Sequence, residues 1–270
     1  MTLRSSVRLI AMLGIALATS MVAFGQQGAP RTVSATPRLS DGHPDLNGLW
    51  YRRVPPVPPV ERQGKTVVLK FGERDPNAEP SAIAYSPGKP PYKPELLAKV
   101  KQLADDAVNT DPAGGCGPPG LPRIGPPQRI FHSPKELVIL YEDLNGNFFR
   151  VVPIDGRPHR TNIERSSLGD SVGHWENDTL VLDTTNFSEE SWLDDEGLFH
   201  SKDLHVTERL TRRADTLEWQ PIVEDPGVFT SAWKQTPRVL KMLTGIDIEE
   251  SAPCVEQSFQ YGAGLHRNTR

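Results

Sequence analysis

The chain has 270 residues, 24% of them charged and 37% hydrophobic, and carries a formal net charge of −4 at pH 7. No basic cluster interleaved with aromatics occurs anywhere, and without one the phosphate backbone of a nucleic acid finds no electrostatic partner. A chain of this length buries the core of a β domain of ordinary size.

The first residues read as a secretory leader. Arg4 and Arg8 form a basic start, Leu9 to Val22 an apolar run, and Ala23-Phe24-Gly25 a small-x-small cleavage site, so the mature chain is expected to begin near Gln26. A membrane anchor is the alternative, but the run is short for a span and has no stop-transfer flank. No membrane span is expected in the mature chain. Its loss removes two basic groups and no acidic one, which leaves the remainder more acidic still. Residues 26–41 read as a flexible N-terminal segment, and 42–270 as a single β domain.

From Gly42 to Pro134 the chain holds most of its 26 prolines, which excludes long regular elements there. The stretch 55–60 (PPVPPV) favours polyproline II and a wrapping role. Lys65–Phe71 reads as a strand. Pro94–Val108 reads as a helix, with Pro94 in its first turn and Leu96, Leu97, Val100, Leu103, Ala104 and Ala107 on one stripe. Residues 111–127 read as loop.

From about 135 to 261 the texture changes to alternating strands and short turns. Leu137–Glu142 and Phe148–Ile154 flank Leu144-Asn145-Gly146-Asn147, and Asp170–Glu176 and Thr179–Asn186 flank Asn177-Asp178. Leu204–Arg212 and Leu217–Glu224 flank residues 213–216. A last strand is expected at Val255–Tyr261. Three successive hairpins make an antiparallel meander, so the fold class is mainly β, an up-and-down barrel with a β-sandwich as the alternative. Cys116 and Cys254 are the only two cysteines, and in an exported chain they are most simply a disulfide, with two free buried thiols as the alternative.

A two-residue turn at Asn177-Asp178 fixes the register of its hairpin. Trp175, Leu180 and Leu182 then share one face, and Asp170, His174, Glu176, Val181 and Asp183 the other. The apolar face is core. The acid-and-histidine face looks into solvent or into a lumen, and the pattern is the same for both.

Four of the seven histidines fall between residues 155 and 209. His159 follows the Gly-x-Pro turn of Asp155-Gly156-Arg157-Pro158, from which a side chain can be aimed into a cavity. It is a candidate acid/base, with a nearby Asp such as Asp170 to orient it. The competing role is a turn pinned by Arg157 and Asp155. His200 and His205 fall on opposite faces of a regular strand, and a loop at His200 could bring it beside His159. No metal site is assigned, and no protease, hydrolase, phosphate-loop or dinucleotide motif is present, so no organic cofactor is implied. For Glu208 a rim salt bridge is favoured over a buried pair with an arginine from another strand such as Arg150.

The segments 44–50 (PDLNGLW), 116–123 (CGPPGLPR), 155–159 (DGRPH), 169–187 (GDSVGHWENDTLVLDTTNF) and 200–210 (HSKDLHVTERL) resemble a widespread group of exported bacterial proteins. The group shares the pattern DGRPH, GDSxGxWEGDTLVVDT and HSxxLxxxERxxR. The resemblance covers most of the mature chain and transfers no activity. Asn177 stands where the pattern prefers Gly, and His174 where Arg is common, which directs attention to His159, Asp170 and His200. A looser similarity, through Gly48-Leu49-Trp50, is to lipocalin-like barrels, whose first strand opens with Gly-x-Trp.

The leading expectation is therefore an exported, periplasmic or extracellular, lipocalin-like β protein. Its lumen or barrel mouth takes a small, partly apolar molecule, with His159, Asp170, His200, Arg157, Trp175 and Glu208 nearest the ligand. The alternatives are a cofactor-independent hydrolase, dehydratase or isomerase using the His159, Asp170 and His200 set, and a cell-envelope interaction module using the Pro-rich segment.

Overall fold

The computed structural model describes residues 35–52, 60–63, 66–69, 88–251 and 254. The expected leader and the expected strand Val255–Tyr261 lie outside the described residues. The strands are β1 (Gly48–Arg52), β2 (Val60–Gln63), β3 (Thr66–Leu69), β4 (Arg129–His132), β5 (Glu136–Asp143) and β6 (Gly146–Pro153). They continue with β7 (Asp170–Glu176), β8 (Thr179–Thr185), β9 (His205–Arg213), β10 (Thr216–Glu224), β11 (Trp233–Lys234) and β12 (Arg238–Leu243).

Hydrogen-bonded neighbours follow the order β6-β5-β4-β1-β12-β10-β9-β8-β7, with short β11 added to β10 and β2 paired with β3 in a separate ribbon. Along this path β4, β5 and β6 are successive neighbours, as are β7, β8, β9 and β10, and β1 joins the two runs through β4 and β12. The first and last strands in chain order, β1 and β12, pair with each other, Leu49 opposite Leu243 and Trp50 opposite Met242. The result is a nearly closed antiparallel up-and-down barrel whose ladder is interrupted once, between β6 and β7. The closing strand β12 was not among the sequence expectations; it is six residues long, follows Pro237, and leaves Val239 half exposed, so its alternation is weak.

The three hairpins form as expected, each with its turn tied down locally. Asn177 takes the left-handed conformation (φ 55°) and Glu176 opposes Thr179, the register anticipated from the turn. Ala214 does the same (φ 52°) between Arg213 and Thr216. In the first hairpin Asp143 opposes Gly146, so the turn centres on Leu144-Asn145. The Asp143 carboxylate accepts the Asn145 amide at 3.0 Å, an Asx turn that sets this position.

The alternation of β9 and β10 sends Val206, Glu208, Leu210, Leu217, Trp219 and Val223 inward. Together with Trp50, Leu137, Ile139, Tyr141, Leu180 and Leu182, these side chains fill the barrel, each with 1% exposure or less. Each fully buried side chain of this size contributes about 1.5–3 kcal/mol. One charged pair lies among them. Arg150 Nη1 and Glu208 Oε2 stand 2.6 Å apart with side chains 3% and 0% exposed. Glu208 also accepts the Trp219 indole N–H at 2.8 Å, and Tyr141 Oη accepts two N–H groups of Arg150, at 2.7 and 3.1 Å. The rim position favoured for Glu208 is thus corrected: a strand residue whose neighbours Val206 and Leu210 face inward faces inward with them.

Residues 35–46 close one end. Arg38 grips Asp178 with two hydrogen bonds of 2.9 and 2.7 Å, Arg212 donates to the Asp45 carbonyl, and the Leu46 amide donates to His132 Nδ1 at 3.2 Å. Leu46 is fully buried beneath them. Residues 35–41 of the segment expected to be flexible are therefore tied to two hairpin turns, the second bond running from the Ala214 amide to Thr36.

The helix is a 3-10 turn, Pro94–Leu96, leading into α1 (Leu97–Asp105). A break at Asp106 separates it from a short α2 (Ala107–Thr110), so the expected single helix to Val108 is interrupted. Only Leu96 and Val100 of the stripe pack on the core, while Leu97 and Val108 stay about half exposed. A 3-10 turn at Pro112–Gly115 interrupts the expected loop 111–127. Cys116 and Cys254 form a disulfide with Cα atoms 5.7 Å apart. Among the described residues no helix is long and apolar enough to cross a membrane.

Two outcomes are expected. Glu208→Leu strands a buried guanidinium and should cost about 3–5 kcal/mol in urea unfolding, and adding Arg150→Met should regain part of that loss. Losses that simply add would contradict a coupled pair. The bridge closes a loop spanning 138 positions, so its reduction should lower stability by on the order of 5 kcal/mol. A Cys116–Cys254 crosslinked peptide should appear in non-reducing digests.

Candidate functional site

Where the ladder is interrupted, residues 154–169 run from β6 to β7 over the outside of the sheet. Asp155 and Arg157 pin the turn, the guanidinium donating to the carboxylate at 2.9 and 2.6 Å. That guanidinium holds Asp155 down to about 2. Further along, Ser166 pairs with the β8 end through Asn186 and Ser188, and Arg165 donates to the carbonyls of Phe187 and Lys202. Gly169 (φ 65°) then turns into β7 so close to Thr185 that a Cβ would lie 2.5 Å from its carbonyl oxygen.

Between these anchors His159 lies on the outer face of the sheet and starts a chain of charge-assisted contacts. Its Nδ1 is 3.0 Å from Asp170 and its Nε2 2.6 Å from Asp183; the other Asp183 oxygen is 2.7 Å from His205 Nε2, and His205 Nδ1 is 3.3 Å from Glu224. Four strands are crossed, β7 through β10, because each contributes one outward residue at the same end. The acid-and-histidine face is therefore the outer face, and His174 and Glu176 on it are solvated.

The electrostatics follow from the contacts. The hydrogen bond from His205 holds Asp183 down to about 2 against partial burial. His205 is raised by the same bond, again against its burial. Burial pushes Asp170 up, but the Arg160 amide, the Arg160 guanidinium and His159 together leave it below the ordinary range. The Arg160 amide and Nε donate to it at 2.9 and 2.6 Å.

His200, expected beside His159, keeps other company. Its Nε2 accepts from the Ser191 hydroxyl at 3.1 Å, its Nδ1 donates to the Ser201 carbonyl at 2.9 Å, and its ring packs edge-on against Phe187. Burial lowers its pKa, which favours this neutral, Nδ1-protonated ring. Its role is to order the turn before β9. Trp175 stacks against His43, with ring centroids 4.6 Å apart, and does not line the groove beside the interrupted ladder. Glu208 is committed inside the barrel. Of the six expected site residues, the structure brings His159, Asp170 and Arg157 into one region and places His200, Trp175 and Glu208 elsewhere.

That region borders a groove of about 520 Å³ along the interrupted ladder. One wall is β6, with Phe149 and Val151 pointing outward at 65% and 49% exposure. Opposite stand Ser166, Ser167, Leu168, Gly169 and Asp170, and Arg157, Pro158 and Arg160 form the rim. The floor is the buried Arg150, which donates to Ser171 across the gap at 3.3 Å. A second depression, of about 960 Å³, lies between α1 and the barrel wall and includes Tyr92, Asp194 and Trp233. Burial there pushes Asp194 up to about 6, and Asp194 takes no part in a histidine cluster. Among the described residues no group of three or more His, Cys, Asp or Glu is placed to hold a metal.

The sequence did not disclose Asp183 as a partner of His159, nor Arg160 and His205 as partners of its two aspartates. Asp183 was already on the face of Asp170, but pairing with His205 needs the register of β8 on β9, Asp183 opposite Thr207. Compared with family models, with curated proteins and with solved structures, the chain matches none.

A pH dependence follows. His205 is raised on folding, so its contribution is complete below its ordinary value near 6.5 and lost as pH rises through the folded value. Asp183 is depressed, so its contribution is complete above the ordinary 3.8 and lost as pH falls toward about 2. The thermal midpoint should decline from mildly acidic to alkaline pH in the native chain. His205→Gln should flatten that decline. An unchanged slope in the variant would remove the proposed linkage.

Proposed function

We propose that this chain is an exported β-barrel protein that binds a small, partly apolar molecule in the groove between β6 and β7. The observation carrying the proposal is the coincidence, at the one interruption of the ring, of outward apolar side chains with a few fixed polar groups. A groove of about 520 Å³ is in the ordinary range for small-molecule sites, which pair an apolar lining with a few convergent polar groups. Core side chains occupy the barrel axis, which favours this seam over the lumen or barrel mouth as the place for the ligand.

Export is part of the same proposal, resting on the leader-like start and the motif resemblance. The disulfide and the lack of a long apolar helix among the described residues are compatible with it. The binding reading is preferred to the acid/base one because the ring nitrogens of His159, His200 and His205 all have protein partners. His159 holds the wall of the groove and presents no ring nitrogen without a partner.

A neutral, environment-sensitive naphthylamine dye should bind with enhanced fluorescence. Val151→Asp and Phe149→Ser should each weaken it by about tenfold or more, the equivalent of one buried apolar contact of ~1.5 kcal/mol. Both side chains are exposed, so the thermal midpoint should barely move. Leu144→Ser alters a side chain 95% exposed and outside the groove; an equal loss from it, or none from the groove variants, would refute the site.

A further inference from the structure

Resting on the groove reading, we infer that the ligand is an amphipathic anion: an apolar body with a carboxylate head held at the Arg160 end. The groove lining contains three guanidiniums, Arg150, Arg157 and Arg160, and each has a carboxylate partner: Glu208, Asp155 and Asp170 respectively. These charges are unequal in what they can offer. Arg150 is committed to Glu208, Tyr141 and Ser171, and Arg157 has Nε and Nη2 on Asp155.

Arg160 uses only Nε, on Asp170. Its Nη1 and Nη2 make no hydrogen bond among the described residues, and its side chain is 68% exposed. The bond through Nε restrains the guanidinium, leaving one N–H on each of Nη1 and Nη2 as the fork that receives a carboxylate end-on. Restraining the guanidinium beforehand lowers the entropy lost on binding. Ser167 adds a hydroxyl with no hydrogen bond of its own among the described residues.

Asp170 decides against a cationic head. It already accepts from the Arg160 amide, from Arg160 Nε and from His159, and its side chain is 5% exposed. Only one acceptor site, on Oδ1, is left for an ammonium, and it lies beside the Arg160 guanidinium, which repels a cation. The apolar body of an anion would lie along Phe149 and Val151, which carry no charge.

The full-length mature protein is titrated with decanoate, decyl phosphate, decanol and decylamine by displacement of the neutral dye. Decanoate should bind about tenfold or more tightly than decanol or decylamine, and added salt should shrink the difference. Decyl phosphate tests the head: equal or weaker binding supports carboxylate recognition, and clearly tighter binding overturns it in favour of phosphate. Arg160→Gln should erase the preference for decanoate while the dye still binds. Because Arg160 also holds Asp170, Ser167→Asp provides a second variant, placing a negative charge in the groove without touching that anchor; it should weaken decanoate and spare the dye. Dye binding with no preference among the heads would overturn this inference and leave the groove reading standing. No binding of dye or of any decyl compound would end both.

Discussion

Between β6 and β7 the sheet has no ladder, and the strand that carries Arg150 is held to the far side of the ring by charge. Glu208 on β9 and Arg150 on β6 meet inside the barrel at 2.6 Å; Tyr141 and Ser171 accept further N–H groups of the guanidinium, and Trp219 donates to the other carboxylate oxygen. The attraction of two buried charges does not by itself make them a source of net stability, because each gives up its hydration. It does make the geometry specific. A buried charge tolerates no position other than beside its partner, so the pair fixes how the β4–β6 half of the ring sits against the β7–β10 half. Burial opposes the charge on Arg150, yet Glu208 and Tyr141 more than offset it and keep the guanidinium above its ordinary value.

The open ladder follows from the same arrangement. A short turn would bring β6 and β7 into register; residues 154–169 instead leave the barrel, fasten to the outer face and return. Small side chains let the seam close from within. Gly173 leaves room for Ile154, whose Cγ2 would lie 2.7 Å from a Cβ at that position. Closed inside and unpaired outside, the seam becomes a groove. The latch of Asp170, His159, Asp183, His205 and Glu224 holds the connecting segment against four strands, so the groove wall is a fixed surface and not a loose loop.

The hairpins were legible in the sequence because everything that sets them is local. Asn177 supplies a left-handed turn residue, the side chains alternate with period two, and the register of Trp175 on Leu180 follows without reference to any other part of the chain. The disulfide was legible for a different reason: two cysteines allow one pairing. The helix was placed but its depth was not, since an apolar stripe says which side faces the protein and not how far the protein reaches toward it. The closing strand β12 was missed because its six residues fit neither a clean alternation nor a turn signal.

What the sequence determined by itself, then, is the mainly β class, the meander and which residues share a face. Tertiary structure alone decided which polar face is outside, where the ring is interrupted and which histidines meet. Alternation divides a strand into two faces without naming the inner one, and Glu208 shows the cost of that ambiguity, reading as a rim residue and lying fully buried. His159 and His205 meet through Asp183 only after β8 has paired with β9 and the 154–169 segment has folded back across both. Such contacts join residues far apart in the chain, and their distances are fixed by the packing of the whole barrel rather than by any local preference of the backbone.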